Sequence, residues 1–418
     1  MTQTLEAPPD FLSEPTFLPR VSQHDGRAIE EALAATLFDS GVRLRGAIVE
    51  ATYAASDPPL LKRLREDGVP RLLEPQSQRF TTKRFLEVEQ LKSLPYAPSA
   101  PITADNFDPE MARSLAMGAL LFEQRQRCDH YLSAALPYYD HDFLKWVSHN
   151  DRLLEETSAA NGGAEIDRRP LIASVLPGRQ ALMKPEFVVN RLLDYPIAGA
   201  YVQPLLFDPV RAGPEKLRLY VEFLLALAGE GIPVMASRVG AFGFVLQALG
   251  INAFDSGLAQ AEASNLAQLN RPLTERERER RREGRGGGPD KRIYLEPVKT
   301  TMKGAHADAI FERPGLRYRF VCNYSCCQYR GYEDLPARRR QHFLCTREAE
   351  VSEVRMRATT GLRLDFVREQ LRDAQETGRV VRRALFDLGA AAPTFEHLDR
   401  WISLLAQEQV NRASRTEF

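Results

Sequence analysis

The chain has no run of apolar residues long enough to cross a bilayer, and its first ten residues lack the basic and hydrophobic segments of a secretory signal. A cytoplasmic protein with no membrane partner is therefore expected. Net charge is missing too. Lys and Arg number 56 and so do Asp and Glu, so nothing global draws the protein to nucleic acid or lipid, and any polyanion site must be local. No repeat of solenoid period is present. Cysteine is scarce, with five among 418 residues, and no Cys-x-x-Cys pair occurs, which excludes the ordinary zinc ribbon or finger.

Four of those five cysteines nevertheless lie together. Cys322-Asn-Tyr-Ser-Cys326-Cys327 is followed by His342-Phe-Leu-Cys345. Thiolates and an imidazole from two short segments can close a tetrahedron around Zn2+, and a chain without a secretory signal is not expected to use such a cluster as a disulfide framework. Five groups are one more than a tetrahedron needs, so one is spare; buried free thiols are the competing reading. Cys128, alone on a half-buried segment, reads as a packed thiol.

Residues 1–25 are rich in proline and polar groups and read as a flexible arm. From there a β-α rhythm begins. Strand-like segments at Arg45–Tyr53, Val69–Glu74, Tyr131–Leu136, Leu171–Leu176, Gly199–Gln203, Ile232–Ala236, Ile251–Asp255 and Ile293–Pro297 alternate with helical spacing, for example Pro59–Asp67 stopped by Gly68 and Ala241–Leu249 closed by Gly250. Eight such strands fit an α/β fold of the (β/α)8 TIM-barrel type better than an open sheet. The expected division is an arm over 1–25, a barrel over 26–300, and a metal-binding and helical C-terminal subdomain over 301–418. A barrel gathers its chemistry at strand C-termini, which makes Glu74, Gln203, Arg238 and Asp255 convergent candidates, although each taken alone reads as well as a cap or loop hydrogen bond.

Residues 271–292 break the rhythm with nine basic against five acidic residues, and Arg280, Arg281 and Arg282 at their centre suit phosphate contacts as well as they suit a solvated linker. Arg338, Arg339 and Arg340, beside the cysteine cluster, are likewise candidate contacts to the phosphates flanking a bound nucleoside. Beyond them, residues 347–409 have helical periodicity with a break at Gly389 and Pro393.

The stretch Val239-Gly-Ala-Phe-Gly-Phe-Val-Leu-Gln-Ala-Leu-Gly-Ile-Asn-Ala-Phe-Asp255-Ser resembles the tRNA-guanine transglycosylase family, which carries VG-x-P-x-D-L-x-x-A-V-x-x-G-V-D-M-F-D-C there. The resemblance implies a (β/α)8 barrel with an inserted zinc subdomain and assigns Asp255 the part of the aspartate that displaces guanine from its ribose. Pro70-Arg-Leu-Leu-Glu74-Pro-Gln76-Ser-Gln78 is similar in position to the family's P-I-L-T-D-S-G-G-F-Q, with glutamate in place of the second catalytic aspartate, and Pro109-Glu110 resembles its S-P-E. Ser174-Val-Leu-Pro-Gly178 and Tyr201-Val-Gln203-Pro204 depart from the family's G-I-Q-Q-G and V-G-G-L, and Tyr131–Leu136 lacks the base-reading aspartate. The frame is kept while the base pocket is rebuilt, with Gln76, Gln203 and Arg238 as candidate substrate contacts. Cys322, Cys326 and Cys327 take the place of the family's C-x-C-x-x-C. The family's distant histidine is missing near Thr360–Leu362, so the fourth ligand is Cys345 or His342, with Cys345 preferred. The zinc is expected to be structural.

Base exchange at C1′ passes through oxocarbenium-like charge, so one carboxylate stabilises or bonds the sugar while a second handles protons at the base. Asp255 suits the first role and Glu74 the second, with burial and the neighbouring like charge expected to raise one of the two pKa values. Expected partners are tRNA or DNA and a purine or 7-deazapurine base, with a homodimer or a partner subunit open. The alternatives are a catalytically silent relative that binds nucleic acid or a partner, and an unrelated barrel enzyme acting on a small phosphorylated substrate.

Overall fold

The computed structural model describes residues 10–22, 25–34, 44–259, 262–266, 274–275, 279, 292–322, 324–327, 335–387 and 393–416. Among them are twelve strands: β1 (Thr16–Val21), β2 (Ala47–Glu50), β3 (Arg71–Glu74), β4 (Tyr131–Leu132), β5 (Leu171–Val175), β6 (Gly199–Val202), β7 (Leu206–Phe207), β8 (Val234–Ala236), β9 (Ala253–Ser256), β10 (Ser264–Asn265), β11 (Arg292–Leu295) and β12 (Thr300–Lys303). Eight of them form one parallel sheet in the order β3-β2-β1-β9-β8-β6-β5-β4. The two end strands, β3 and β4, lie against each other, so the sheet is a nearly closed TIM-like barrel.

The barrel interior follows from the two-residue period of a strand. One layer is apolar: Leu18, Ile48, Leu72, Leu132, Ile172, Met235 and Ala253 meet inside, with the ring of Tyr201. Phe11 and Leu12, from the short helix Asp10–Ser13, join this cluster, and the carbonyl of Leu12 accepts from Asn252 Nδ2 at 2.7 Å. Two residues further along, the same strands carry Arg20, Glu50, Glu74, Ser174, Gln203, Ser237 and Asp255. Because all eight strands are parallel, this second, polar layer lies at the C-terminal mouth.

Two expectations are overturned here. The N-terminal segment read as an arm contains β1, which pairs with β2 on one side and β9 on the other and is buried along its length. Proline near and inside the segment, at Pro15 and Pro19, disguised it, since proline lacks the N–H of a central strand. The segment read as the eighth strand, Ile293–Pro297, is instead β11 of an antiparallel hairpin with β12 outside the barrel. The boundary expected at 300/301 falls at the start of β12, so the hairpin belongs with the C-terminal region.

The flanking helices follow the apolar periodicity. Pro59–Glu66 buries Leu60, Leu61 and Leu64 and is followed by Gly68 at φ +67°, and Phe242–Ala248 is followed by Gly250 at φ +95°. Gly243 permits a close crossing, for a Cβ there would sit 2.2 Å from the Phe254 ring. The C-terminal region is helical: Arg339–Arg355, Thr360–Ala384 and Glu396–Thr416. Thr359 caps the second of these by accepting from the Leu362 N–H at 3.3 Å. Trp401 of the third is buried and donates to the Pro209 carbonyl at 3.2 Å, holding that helix on the barrel flank. No helix among the described residues is long and apolar enough to cross a membrane.

Helix Arg339–Arg355 buries a carboxyl with an unpartnered oxygen. Burial pushes Glu348 up to about 8 against the opposing pull of Arg355 and Arg45, and its Oε1 has no hydrogen bond among the described residues. A carboxyl whose folded pKa lies above its unfolded value favours folding fully below the unfolded pKa and loses that advantage as pH rises through the folded one. Stability is therefore expected to fall between about pH 4.5 and pH 8 by up to a few kcal/mol from this group. In Glu348→Gln, urea titrations across that range should lack this part of the slope. An unchanged slope would mean that Glu348 is not the group responsible.

Candidate functional site

Arg20, which the sequence reading missed, organises the mouth. It is buried at 1 % exposure, and its Nε donates to Asp255 Oδ1 at 3.2 Å while Nη2 donates to Asp255 Oδ2 at 3.2 Å. Nη1 donates to Glu74 Oε2, and Nη2 also reaches the hydroxyls of Tyr201 and of Ser237, the latter at 3.3 Å. One guanidinium thus gathers β1, β3, β6, the end of β8, and β9. Burial alone would lower the Arg20 pKa, but Asp255, Glu74, Tyr201 and Glu50 hold it well above the ordinary value.

The structure brings Asp255 and Glu74 together, as expected, but not in the expected electrostatic state. Burial pushes Glu74 up, yet Arg20 and Arg238, with hydrogen bonds from Arg20 and Gln78, hold it below the usual carboxylate range. The expectation that one of the pair is raised fails for Glu74, because two cations outweigh desolvation. Glu74 is an anion at neutral pH and so can take a proton rather than give one.

Arg238 stands just past β8 at φ +57° and places Nη2 3.1 Å from Glu50 Oε1 and 3.7 Å from Glu74 Oε2. Gln76 also has a left-handed backbone, at φ +57°, and its Oε1 accepts the Thr52 N–H at 3.1 Å, so its amide oxygen serves the loop. Two such residues at strand ends mark stored strain of the kind found where a site is held open or aimed.

Between Glu74, Gln78, Ser133, Ser174, Tyr201 and Gln203 lies a cavity of about 10 Å3, room for about one water molecule. Gln203 Nε2 and Ser174 Oγ have no hydrogen-bond partner among the described residues. Buried polar atoms left unpaired cost about 1–3 kcal/mol each, so these two are groups in want of a ligand.

The cysteine cluster is assembled outside the barrel. Cys322, Cys326, Cys327 and His342 are buried, and their donor atoms all lie within 4.8 Å of one another. Cys322 Sγ is 4.0 Å from Cys326 Sγ, and His342 Nδ1 is 4.0 Å from Cys326 Sγ and 3.8 Å from Cys327 Sγ. A tetrahedral site with metal–sulfur bonds of about 2.3 Å sets neighbouring donors about 3.8 Å apart, so the four groups could hold a metal ion. The preferred fourth ligand, Cys345, gives way to His342. Helix Arg339–Arg355 carries both, one turn apart, but His342 Nε2 donates to the Tyr294 carbonyl at 3.0 Å, which fixes the tautomer and turns Nδ1 to the sulfurs. Cys345 is buried beside Cys326 as the spare group. Cys128 is a packed thiol whose pKa is raised by burial.

Of the arginines read as phosphate contacts, Arg280, Arg281 and Arg282 lie outside the described residues. Arg338 is exposed but braces the Cys326 carbonyl at 3.3 Å, Arg339 donates to the Pro336 carbonyl at 3.4 Å, and Arg340 is paired with Asp25 at 3.1 Å. Their cationic groups therefore first serve the fold around the cluster.

No family model matches the sequence, and no curated protein matches it. Among solved structures the chain is similar to a candidate lyase/mutase from Burkholderia cenocepacia J2315, at 14% identity and TM-score 0.32 over 73% of this chain and 94% of that one. It is also similar to nitroalkane oxidase from Streptomyces ansochromogenes, at 12% identity and TM-score 0.31 over 83% and 97%. A third is Rhizobium etli pyruvate carboxylase, at 13% identity and TM-score 0.32 over 95% of this chain and 36% of that one.

Proposed function

We propose that the chain acts on a base of tRNA or DNA at the C-terminal mouth of its barrel, in the manner of tRNA-guanine transglycosylases, and carries a structural Zn2+ on Cys322, Cys326, Cys327 and His342. The observation that carries this reading is the convergence of Asp255 and Glu74 on Arg20, beside a cavity where Gln203 and Ser174 lack partners. In the reaction an Asp255 carboxylate oxygen bonds to C1′ as the C1′–N bond breaks, and the departing base keeps the electron pair and takes a proton from water. The incoming base then bonds C1′ as the C1′–Asp255 bond breaks and its electron pair returns to Asp255, and it loses its proton to Glu74, which passes it on to the hydroxide left by that water. Asp255 reaches the sugar only when Arg20 gives up one of its oxygens, and a base is admitted only when the wall of the one-water cavity moves. Soft thiolate and imidazole donors without an oxygen ligand suit zinc, and four protein ligands leave no open position for catalysis.

A second reading is favoured by that same filled mouth. With both Asp255 oxygens bonded to Arg20, the chain is a silent relative that binds nucleic acid or a partner subunit. Incubation with labelled guanine and bulk tRNA or DNA separates the two. Incorporation that vanishes in Asp255→Asn and persists in Arg218→Gln is the expected result for the enzyme. Retention of polynucleotide with no label incorporated, even at long times, would establish the silent relative instead.

A further inference from the structure

A cleft of about 190 Å3 lies beside the Cys/His cluster, where the end of β11 meets helix Arg339–Arg355. Leu295, Pro297, Phe320, Val321 and Leu335 make most of its wall apolar. Val321 is exposed at 38 %, and Glu296 and Tyr324 are half-buried, so the cleft opens to solvent. An apolar cavity of about 150 Å3 is enough for benzene, so this one has room for a small organic molecule.

Two of the four donor residues of the cluster reach that wall, Cys322 and His342. His342 has no nitrogen to spare, for Nε2 donates to the Tyr294 carbonyl at 3.0 Å and Nδ1 faces Cys327 Sγ at 3.8 Å. Of the five cysteines Cys322 is the most exposed, at 8 %, against 0 % for Cys326 and Cys327. Three thiolates and a neutral imidazole around a dication leave net negative charge on the sulfurs, so a ligated Cys322 keeps the nucleophilic form that a free buried thiol lacks. Four protein ligands close the metal to a substrate, but they do not close this sulfur.

We infer that Cys322, ligated to the metal, is a modification site that accepts alkyl groups from small uncharged electrophiles entering the cleft. An electron pair of Cys322 Sγ forms the S–C bond as the bond from that carbon to its leaving group breaks, and the leaving group departs as an anion with the electrons of that bond. Neither a proton nor an oxidant is consumed. The apolar wall favours uncharged reagents, and the thiolates repel anions. The thioether formed carries no charge and is a weaker ligand, so alkylation loosens the metal. This chemistry requires the zinc proposed on the four groups and is independent of base exchange.

The full-length zinc-loaded protein is to be treated with iodoacetamide for graded times, with each cysteine followed by peptide mass mapping and released zinc by a chromogenic chelator. In initial rate Cys322 should be modified at least about tenfold faster than Cys326, Cys327 and Cys345, as thiolate character and access dictate, with zinc released in step. Iodoacetate, similar in size but anionic, should be disfavoured at Cys322 more than it is at glutathione. Val321→Trp places an indole at the exposed margin of the cleft, away from the core, and should keep its zinc while slowing Cys322 alkylation. Prior chelation should abolish the preference for Cys322. Bound zinc with Cys322 no faster than the other three cysteines, equal Cys322 rates in wild type and zinc-loaded Val321→Trp, or a preference that survives chelation would each overturn this site and leave the metal reading standing. A protein that holds no zinc would overturn both.

Discussion

Arg20→Ala is expected to cost about 3–5 kcal/mol of folding stability, because it leaves two buried carboxylates without their shared cation. Asp255 is 0 % and Glu74 2 % exposed, so water cannot replace the guanidinium at either. Arg238 stays near Glu74 but touches Asp255 only through its backbone N–H, at 3.3 Å, so Asp255 suffers more. The effect belongs to the charges rather than to lost packing, and a cycle in urea denaturation checks this. In an Asp255→Asn, Glu74→Gln background the same Arg20→Ala change should cost clearly less, and an equal cost in both backgrounds would mean that Arg20 acts by filling space. Acid titration gives a second check. The depressed Glu74 pKa contributes stability that is present above the unfolded carboxylate value near 4.5 and is lost as pH falls through the lower folded one. Without Arg20 burial dominates, so Arg20→Ala should lose this acid destabilisation and gain stability on mild acidification.

That polar layer was partly legible. Leu72 and Glu74, Tyr201 and Gln203, and Ala253 and Asp255 each show the two-residue step that sets an apolar side chain and then a polar one on the inner face, and each pair sits in a segment whose strand character is plain. Leu18 and Arg20 show the same step, but Pro15 and Pro19 frame it, and proline argues against a central strand. The pairing of β1 with β9 joins residues over two hundred positions apart, and local pattern carries no trace of it. For the same reason Arg292–Leu295 looked like a barrel strand: a short β-rich run does not say which sheet it joins. At the Cys/His cluster the cysteines were visible, and which group would complete a metal site with them was not. His342 and Cys345 are three residues apart on one helix and so share a face. What separates them is the Tyr294 carbonyl, supplied by a hairpin whose position depends on the whole fold.

Stripping metal from the Cys322, Cys326, Cys327 and His342 site is expected to have the largest effect on the molecule. Structural zinc contributes on the order of 10 kcal/mol in small zinc-folded peptides, and a metal ion held by these four groups would join hairpin to helix. His342 Nε2 holds the Tyr294 carbonyl at 3.0 Å, while the Tyr294 hydroxyl donates to Glu350 at 2.8 Å, where Lys299 and Arg347 also bond, each at 2.8 Å. Burial would push Glu350 up, but Lys299 and Arg347 hold it below the usual range, so this network is ionic and collapses if helix and hairpin part. Loss should spread further, because the same helix packs Phe343 against Phe17 of β1 and bonds the Pro15 carbonyl through Arg355 Nη2 at 2.9 Å. Hydrogen exchange should therefore show deprotection of the hairpin of β11 and β12 and of helix Arg339–Arg355 first and then of β1, the strand that carries Arg20, before the rest of the barrel. Metal analysis of purified protein should find one zinc per chain. Cys326→Ser and His342→Gln should lose it and exchange like chelator-treated wild type, whereas Cys345→Ser should keep it. Retention of metal by His342→Gln together with its loss from Cys345→Ser would reverse the ligand assignment, and β1 protection unchanged by chelation would sever the mechanical link from the metal to the mouth.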